Sequence, residues 1–227
     1  MRPVILGSLL FLVACGPPPL TGYDGAPIYK LFQYDTVRTW TWQSSDTSVP
    51  FKMIGTQRTE TEKEEGTDIQ IYAIDFTADC FNNGGVCEAD SDGTGLRDYE
   101  ESIHDTWKLS TESVKGVRFH EAGGVVFDPA VKAWDGLMLI KEQTTGVESG
   151  GVTYTGEYAA DELCPAEAYW PDETTRPTCY KLTLDDGGAD TPIGGTYWVV
   201  SGFGIISFSR DIDNEAVWSL AHFDDNQ

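Results

Sequence analysis

The chain has 227 residues, of which 40% are hydrophobic and 12% aromatic, so it carries enough apolar side chains for a packed core and is not disordered in bulk. Its 37 acidic residues against 15 basic ones give a formal net charge of −22. A surface this negative repels phosphate backbones, which argues against nucleic-acid binding, and it also repels anionic lipid headgroups.

The first predicted element is an export signal. Arg2 is followed by an apolar stretch over residues 4–14. That stretch is shorter than the roughly 20 apolar residues a transmembrane helix needs, but it is typical of a secretory signal. The run Leu12-Val13-Ala14-Cys15 resembles the lipobox of bacterial lipoproteins, in which the cysteine is lipidated on its sulfur and becomes the new N-terminus. Residues 1–14 are therefore predicted to be a lipoprotein signal peptide.

A short tether follows the signal. Cys15 is the predicted lipid attachment site, and Gly16-Pro17-Pro18-Pro19 after it favours extended polyproline geometry. We expect residues 15–27 to be this tether and residues 28–227 to form a single β-rich domain. Lipid chains contribute about 0.8 kcal/mol per buried methylene, so they would hold the chain at the membrane despite its charge. Gly16 in place of an aspartate resembles outer-membrane sorting, which makes the outer membrane the expected location.

The rest of the chain shows short runs of β-forming residues separated by Gly, Asp, Asn and Pro. Residues 37–42 alternate clearly, with Trp40 and Trp42 on one face. Similar segments are found at 68–76, 117–120, 137–140, 152–158, 180–184, 197–200, 205–208 and 216–220. This pattern predicts an all-β fold, an antiparallel sandwich or half-open barrel with one or two short helices.

Two segments show helical rather than strand-like features. Leu96, Tyr99, Ile103 and Trp107 share the spacing of one face of a three-turn helix, and residues 159–163 are predicted as a single helical turn. The acidic run over residues 60–65 is predicted as a solvated loop between strands.

Four cysteines remain after the lipidation site: Cys80, Cys87, Cys164 and Cys179. An even number in an exported chain predicts two disulfides, and three pairings are possible. We expect the sequence neighbours to pair, as Cys80–Cys87 and Cys164–Cys179. A zinc site is disfavoured because the chain has no C-x-x-C pair and its three histidines are scattered.

One segment has the spacing of a cation-binding loop. Residues 90–101 fit the twelve-residue calcium pattern, with Gly95 at the position of the sharp turn. The segment resembles EF-hand-like loops and the Asp-Gly-rich calcium loops of secreted bacterial proteins. The alternative is a solvated acidic loop that leads into a short helix. The predicted Ca²⁺ ligands are the side chains or carbonyl of Asp90, Asp92, Thr94, Leu96, Asp98 and Glu101.

Catalytic motifs are missing from the sequence. It contains no G-x-S-x-G elbow, no H-E-x-x-H and no P-loop, so the chain is not expected to be an enzyme. His120 alternates within a predicted strand and is expected to be partly buried there. Residues 202–204 are expected to form a bulge or tight turn between strands. The seven tryptophans are expected to fill the core, although an apolar cavity or a sugar platform is the alternative.

A resemblance to known proteins rests on two segments. The chain has an aromatic strand at Thr39-Trp40-Thr41-Trp42 and a strand with a glycine turn over residues 197–206. It resembles in this a group of exported lipoproteins, some of which are similar to the half-open barrel of the lipoprotein carriers LolA and LolB. The resemblance implies a curved antiparallel sheet that wraps an apolar ligand.

Three functions follow from these features. The first is a non-enzymatic, lipid-anchored envelope or cell-surface protein that binds a partner protein or an apolar ligand, or is structural. The second is a calcium-stabilised adhesion or structural module, and the third is an envelope-polymer hydrolase. A large apolar cavity would favour ligand binding, and a packed core with an exposed patch among the loops would favour adhesion to a partner. A cleft with two facing acids or a His-acid pair would favour a hydrolase.

Overall fold

The computed structural model describes residues 26–33, 36–45, 51–80, 106–135, 142–149, 151–165, 178–210 and 216–226. Within these residues it contains one 3-10 turn, Ile28–Lys30, and twelve strands. The strands are β1 Val37–Ser44, β2 Phe51–Glu64, β3 Thr67–Cys80, β4 Thr106–Glu112, β5 Gly116–Ala122, β6 Val125–Trp134, β7 Glu142–Ser149, β8 Val152–Leu163, β9 Thr178–Asp185, β10 Gly195–Val200, β11 Gly204–Arg210 and β12 Trp218–Asn226. The all-β prediction is confirmed, and no helix in these ranges is long and apolar enough to cross a membrane.

The strands form one antiparallel sheet in the order β6-β5-β4-β3-β2-β1-β12-β11-β10-β9-β8-β7. Each run of six consecutive strands is a simple meander, and the ladder between β1 and β12 joins the two runs. Strands β6 and β7 are the edges of this open sheet. Pro129 fits its place in β6, because an edge strand can lose a backbone donor without losing a ladder hydrogen bond.

The sheet curls so that its two halves face each other across an aromatic core. Trp107 of β4 contacts Tyr197 of β10, with ring centroids 5.6 Å apart. Tyr197 also contacts Trp134 of β6, and Trp42 of β1 contacts Phe208 of β11 at 5.4 Å. These edge-on contacts are favourable aromatic geometry, so the interior is held together much like a sandwich.

The expectation that tryptophans fill the core is confirmed for the described part of the chain. Trp198 is only half-buried, and Trp170 lies outside the described residues. The five others are each at most 1% exposed: Trp40, Trp42, Trp107, Trp134 and Trp218.

Two of these tryptophans also replace missing backbone pairing. Strands β11 and β12 pair over only two residues each. Beyond that short ladder, the indole Nε1–H of Trp40 donates to the carbonyl oxygen of Phe203 at 2.6 Å. The indole of Trp42 donates to the carbonyl oxygen of Ile205 at 3.1 Å. Side chains of β1 thus bond to two backbone carbonyl groups, one in the turn at 201–203 and one in β11.

The segment before β1 fills one end of the interior. Ile28, Leu31 and Phe32 are at most 2% exposed, and the ring of Phe32 stacks on Trp134 at 6.3 Å. The gap left between Phe32 and its neighbours Trp40, Trp42, Ile74 and Ile205 has no room for a water molecule. The interior is therefore packed where this segment enters it.

The two ends of the sheet differ in what they carry. Since neighbouring strands are antiparallel, successive connections alternate between the ends. The end with residues 26–33, and with the turns at 65–66, 113–115 and 201–203, is called the near end. The opposite end, called the far end, has the turn at 123–124, the β7–β8 turn and the loop over residues 186–194.

Several local predictions were wrong. Residues 159–163 belong to β8 rather than to a helical turn, and Trp107, expected at the end of a helix, lies in β4. The acidic run 60–65 is not a loop, because its first five residues continue β2 and pair with β3. The many charged residues of this segment make it look like a loop in the sequence. Their ion-pair partners lie elsewhere in the chain.

The predicted glycine turn is confirmed. Residues 201–203 turn the chain between β10 and β11, and the backbone N–H of Phe203 donates to the carbonyl oxygen of Val200. Gly202 and Gly204 have φ of 80° and 89°, a region that favours glycine.

Candidate functional site

Several predicted site residues lie outside the described part of the chain. Cys15, Cys87 and the predicted calcium ligands Asp90, Asp92, Thr94, Leu96, Asp98 and Glu101 are among them. Cys80 is the last residue of β3, and its side chain is also outside the description. Lipid attachment, the Cys80–Cys87 bridge and calcium binding therefore stay predictions.

The second predicted disulfide is confirmed. Cys164 and Cys179 are joined, with their Cα atoms 5.1 Å apart, and both are fully buried. The bridge ties the chain just after β8 to the beginning of β9, at the near end. The burial of both cysteines is typical of a structural disulfide.

An open site lies beside the place where β8 approaches the edge strand β6. Gly156 of β8 passes so close to β6 that a Cβ atom there would lie 1.7 Å from the carbonyl oxygen of Ala133. Towards the far end the two strands separate, and a cleft of about 380 Å³ opens between them. This volume is within the range of about 300–1,000 Å³ typical of ligand sites. We call it the seam cleft.

The lining of the seam cleft is largely apolar and contains no basic side chain. It comes from the start of β6, the start of β8 and the loop between β9 and β10. Two carboxylates interrupt the apolar surface. The lining residues are Val125, Val126, Phe127, Asp128, Val152, Tyr154, Ala189, Asp190, Thr191 and Pro192.

One wall of the seam cleft is a fixed aromatic pair. Phe127 of β6 contacts Tyr154 of β8 edge-on, with ring centroids 6.3 Å apart. Both rings are buried, at 8% and 2% exposure. Burial raises the pKa of the Tyr154 phenol, so this side chain stays neutral at physiological pH.

The opposite wall is held by one buried carboxylate. Asp186 is 3% exposed and accepts backbone N–H groups from Gly188, Ala189 and Thr191 at 2.7–3.1 Å. Burial opposes its ionisation, but these hydrogen bonds outweigh burial and hold the pKa of Asp186 below its usual range. The loop is therefore fixed before any ligand arrives. Asp190 has φ of 51°, a left-handed conformation that aspartate tolerates better than most residues.

The rim of the seam cleft exposes apolar side chains. Val125 is 46% exposed and Val126 is 72% exposed. Sequence reasoning missed the cleft, because its three lining segments are far apart in the chain and none is a known motif. The only local signal was a pair of valines directly after the turn Gly123-Gly124.

A second cluster covers the outer face of β2–β5, and it is an ion-pair network. Lys108 Nζ lies 3.2 Å from carboxylate oxygens of both Glu62 and Glu121. Arg118 pairs with Glu64, which also accepts a hydrogen bond from Lys115. These basic side chains are already paired, so the network is better suited to joining strands than to binding a ligand.

His120 belongs to the same outer face, and the expectation of a partly buried strand histidine is confirmed. Its Nε2 lies 2.8 Å from Ser110 Oγ. Burial, and then the charge of Arg118, lower the pKa of His120. A nucleophilic serine must reach its substrate, but Ser110 is only 1% exposed. The pair is a cross-strand hydrogen bond.

Comparison with protein families, with curated proteins and with solved structures found no match for this chain. The function is therefore argued from the geometry of the seam cleft and from the sequence.

Proposed function

We propose that this chain is a non-enzymatic lipoprotein, anchored through Cys15 to the outer membrane, whose β domain binds a partner protein at the seam cleft. The observation that carries the proposal is the position of the cleft at the far end of the sheet. Residues 26–33 lie at the near end, so a tether preceding them would leave the far end pointing away from the membrane.

The packing of the interior supports a partner protein over an apolar ligand wrapped by the sheet. Five buried tryptophans and the segment with Phe32 occupy the space between the two halves. The gap beside Phe32 is too small for a water molecule, and therefore also too small for a lipid chain. In contrast, the seam cleft is open and has an apolar rim, which is the combination expected of an adhesion module.

The predicted calcium segment would stabilise the same end. It belongs to the connection between β3 and β4, and both Cys80 and Thr106 lie at the far end. A bound Ca²⁺ would order this connection and so add to the partner-binding surface. A calcium-stabilised module is in this sense a variant of the same proposal.

The anchor is tested by the substitution Cys15→Ser in cells that export the full chain. We expect the wild-type protein in the membrane fraction, with mass spectrometry showing a lipidated Cys15 as the first residue. The substituted protein should move to the soluble exported fraction. A soluble wild-type protein with an unmodified start would contradict the anchor.

The binding surface is tested by site-specific photo-crosslinking. A photo-reactive benzoylphenylalanine at position 126 lies on the rim of the seam cleft, whereas the same residue at position 114 lies at the near end. Val114 is a matched control, because it is also a highly exposed valine, at 85%.

We expect a discrete adduct from position 126, identified by mass spectrometry as the same protein in independent preparations, and none from position 114. No adduct at position 126, or identical adducts at both positions, would contradict partner binding at the cleft.

A further inference from the structure

We propose that the seam cleft takes a basic segment of the partner protein, in which lysine or arginine side chains alternate with apolar ones. This inference rests on the proposed function and adds the chemistry of the partner.

The charge of the lining favours a cation. Asp128 and Asp190 both line the seam cleft, and none of its ten lining residues is basic. The chain as a whole carries a formal net charge of −22, which raises the local concentration of positive partners. An acidic or neutral ligand would leave both carboxylates without a counter-charge.

The shape favours a side chain with an apolar stem. Lysine and arginine bury their methylene groups against apolar surface while the charged head stays near water. Phe127, Val152, Tyr154 and Pro192 offer such surface in the same cleft as the two carboxylates.

The exposed rim favours a polypeptide over a small organic cation. Val126 is 72% exposed beside the cleft, and Val125 is 46% exposed. A small cation seated between the walls would leave these valines uncovered. A chain that continues over the rim would cover them with its own apolar side chains.

The fixed loop lowers the cost of binding. Asp186 accepts three backbone N–H groups, and the phenol of Tyr197 donates to the carbonyl oxygen of Ile193 at 2.7 Å in the same loop. Asp190 is therefore presented without ordering the loop first, and preorganisation of this kind improves affinity.

The test uses full-length exported protein in a neutral detergent and three fluorescent peptides. The first contains Val-Lys-Val-Lys-Val, the second contains Val-Glu-Val-Glu-Val, and the third contains Gly-Lys-Gly-Lys-Gly. Binding is measured by fluorescence anisotropy at low salt. We expect saturable binding of the first peptide, at least several-fold tighter than either control peptide, and weaker binding as salt rises.

The matched variants change the same number of charges at different places. Asp128→Asn with Asp190→Asn should weaken binding of the first peptide about 3- to 10-fold, as expected for two partly exposed ion pairs. Asparagine also tolerates the left-handed backbone at position 190. Asp68→Asn with Asp224→Asn, two exposed carboxylates at the near end, should change it less than about twofold.

The outcomes separate this inference from the proposed function. Equal binding of the glutamate peptide, no binding of the lysine peptide, or equal losses in both double variants would overturn the basic segment. If the crosslink at position 126 persists in any of these cases, partner binding at the cleft still stands. Loss of that crosslink as well would contradict both the basic segment and partner binding at the cleft.

Discussion

Gly156 has no side chain, and this allows β8 to lie close to the edge strand β6. Gly156→Ala would place a Cβ atom 1.7 Å from the carbonyl oxygen of Ala133, so β8 or β6 must shift. We expect a loss of about 3 kcal/mol in the free energy of unfolding, measured by urea denaturation. Thr153→Ala, at an exposed position of the same strand, should change it by less than about 0.5 kcal/mol. Equal stability of the two variants would show that β6 and β8 can move apart without loss of stability.

His120 predicts a stability change near neutral pH. Burial, followed by the charge of Arg118, lowers its pKa below the ordinary 6.5. The unfolded chain therefore binds this proton more readily, and stability is present above pH 6.5 and is lost as pH falls through the folded-state pKa.

The measurement is urea denaturation at several pH values between about 7 and 5. In His120→Gln the free energy of unfolding should fall less steeply as pH is lowered over this range. In His222→Gln, at an exposed position, it should fall as in the wild type. A slope that is the same in all three proteins would show that His120 does not cause the decline.

The residue scale also shows what local patterns could predict. The position of His120 and the burial of Trp40 and Trp42 follow from alternation within one strand. The need for glycine at position 156 does not, because it depends on Ala133 in a different half of the sheet. Contacts between strands that are not neighbours leave no local pattern.

At the scale of elements, the ion-pair network on β2–β5 predicts that part of the free energy of unfolding is lost at acidic pH. The pKa of Glu64 is lowered to about 2, chiefly by a hydrogen bond from Arg118. Burial opposes this shift, and a further hydrogen bond from Lys115 adds to it. The stabilisation by the ionised Glu64 carboxylate is present above pH 4.5 and is lost as pH falls towards 2.

Glu64→Gln should cost about 1 kcal/mol at pH 7, a value reduced for the partial exposure of these groups. The variant should also lose less stability than the wild type between pH 4.5 and 2, as followed by circular dichroism. Glu65→Gln, in the exposed turn that follows, is the control and should behave as the wild type. An unchanged acid transition in Glu64→Gln would contradict the role of this pair.

No strand was predicted where β2 lies, and this network explains why for the second part of β2. The dense acidic run over residues 60–65 predicts a solvated loop. The partners of this run, Lys108, Lys115 and Arg118, lie about 50 residues further along the chain. Only the pairing of β3 with β4, and of β4 with β5, places these cations beside β2.

The disulfide between β8 and β9 is a further prediction at this scale. Replacing both Cys164 and Cys179 by serine removes a disulfide between residues with a sequence separation of 15. Loss of a bridge of that length should lower the free energy of unfolding by about 3 kcal/mol, with part of the effect in the unfolded chain. Denaturation of the wild type with and without a reductant is the check. A wild type that is equally stable after reduction would contradict this value.

At the scale of the whole molecule, the segment before β1 determines whether the sheet is packed or hollow. Phe32→Ala would remove a ring that stacks on Trp134 and leave an apolar void among tryptophans. We expect a loss of about 3–5 kcal/mol in the free energy of unfolding.

Native mass spectrometry with a small apolar molecule such as benzene tests whether the void opens. The variant should bind it while the wild type does not. Gln33→Ala is the control, because the side chain of Gln33 is exposed and only donates to the carbonyl oxygen of Thr111. Uptake by the wild type would show that the interior already has accessible space.

The sequence was sufficient for the fold class and for most strands of the second half of the chain. It did not predict that β1 pairs with β12, or that β6 and β8 meet to form the seam cleft. Both features join segments separated by many residues, and neither uses a distinctive motif. The apolar alternation of a strand shows which face is buried but not which strand covers it.

The ladder between β1 and β12 has a consequence for how this protein folds. Every other ladder in the described sheet joins strands that follow each other in the chain, whereas this one begins by pairing Val37 with Asn226. Closing so long a loop costs more entropy than forming any of the hairpins, so we expect it to be the last pairing to form. Until then each six-stranded run exposes its aromatic face. The slow step of folding is therefore also the period in which the partly folded chain is most prone to aggregate.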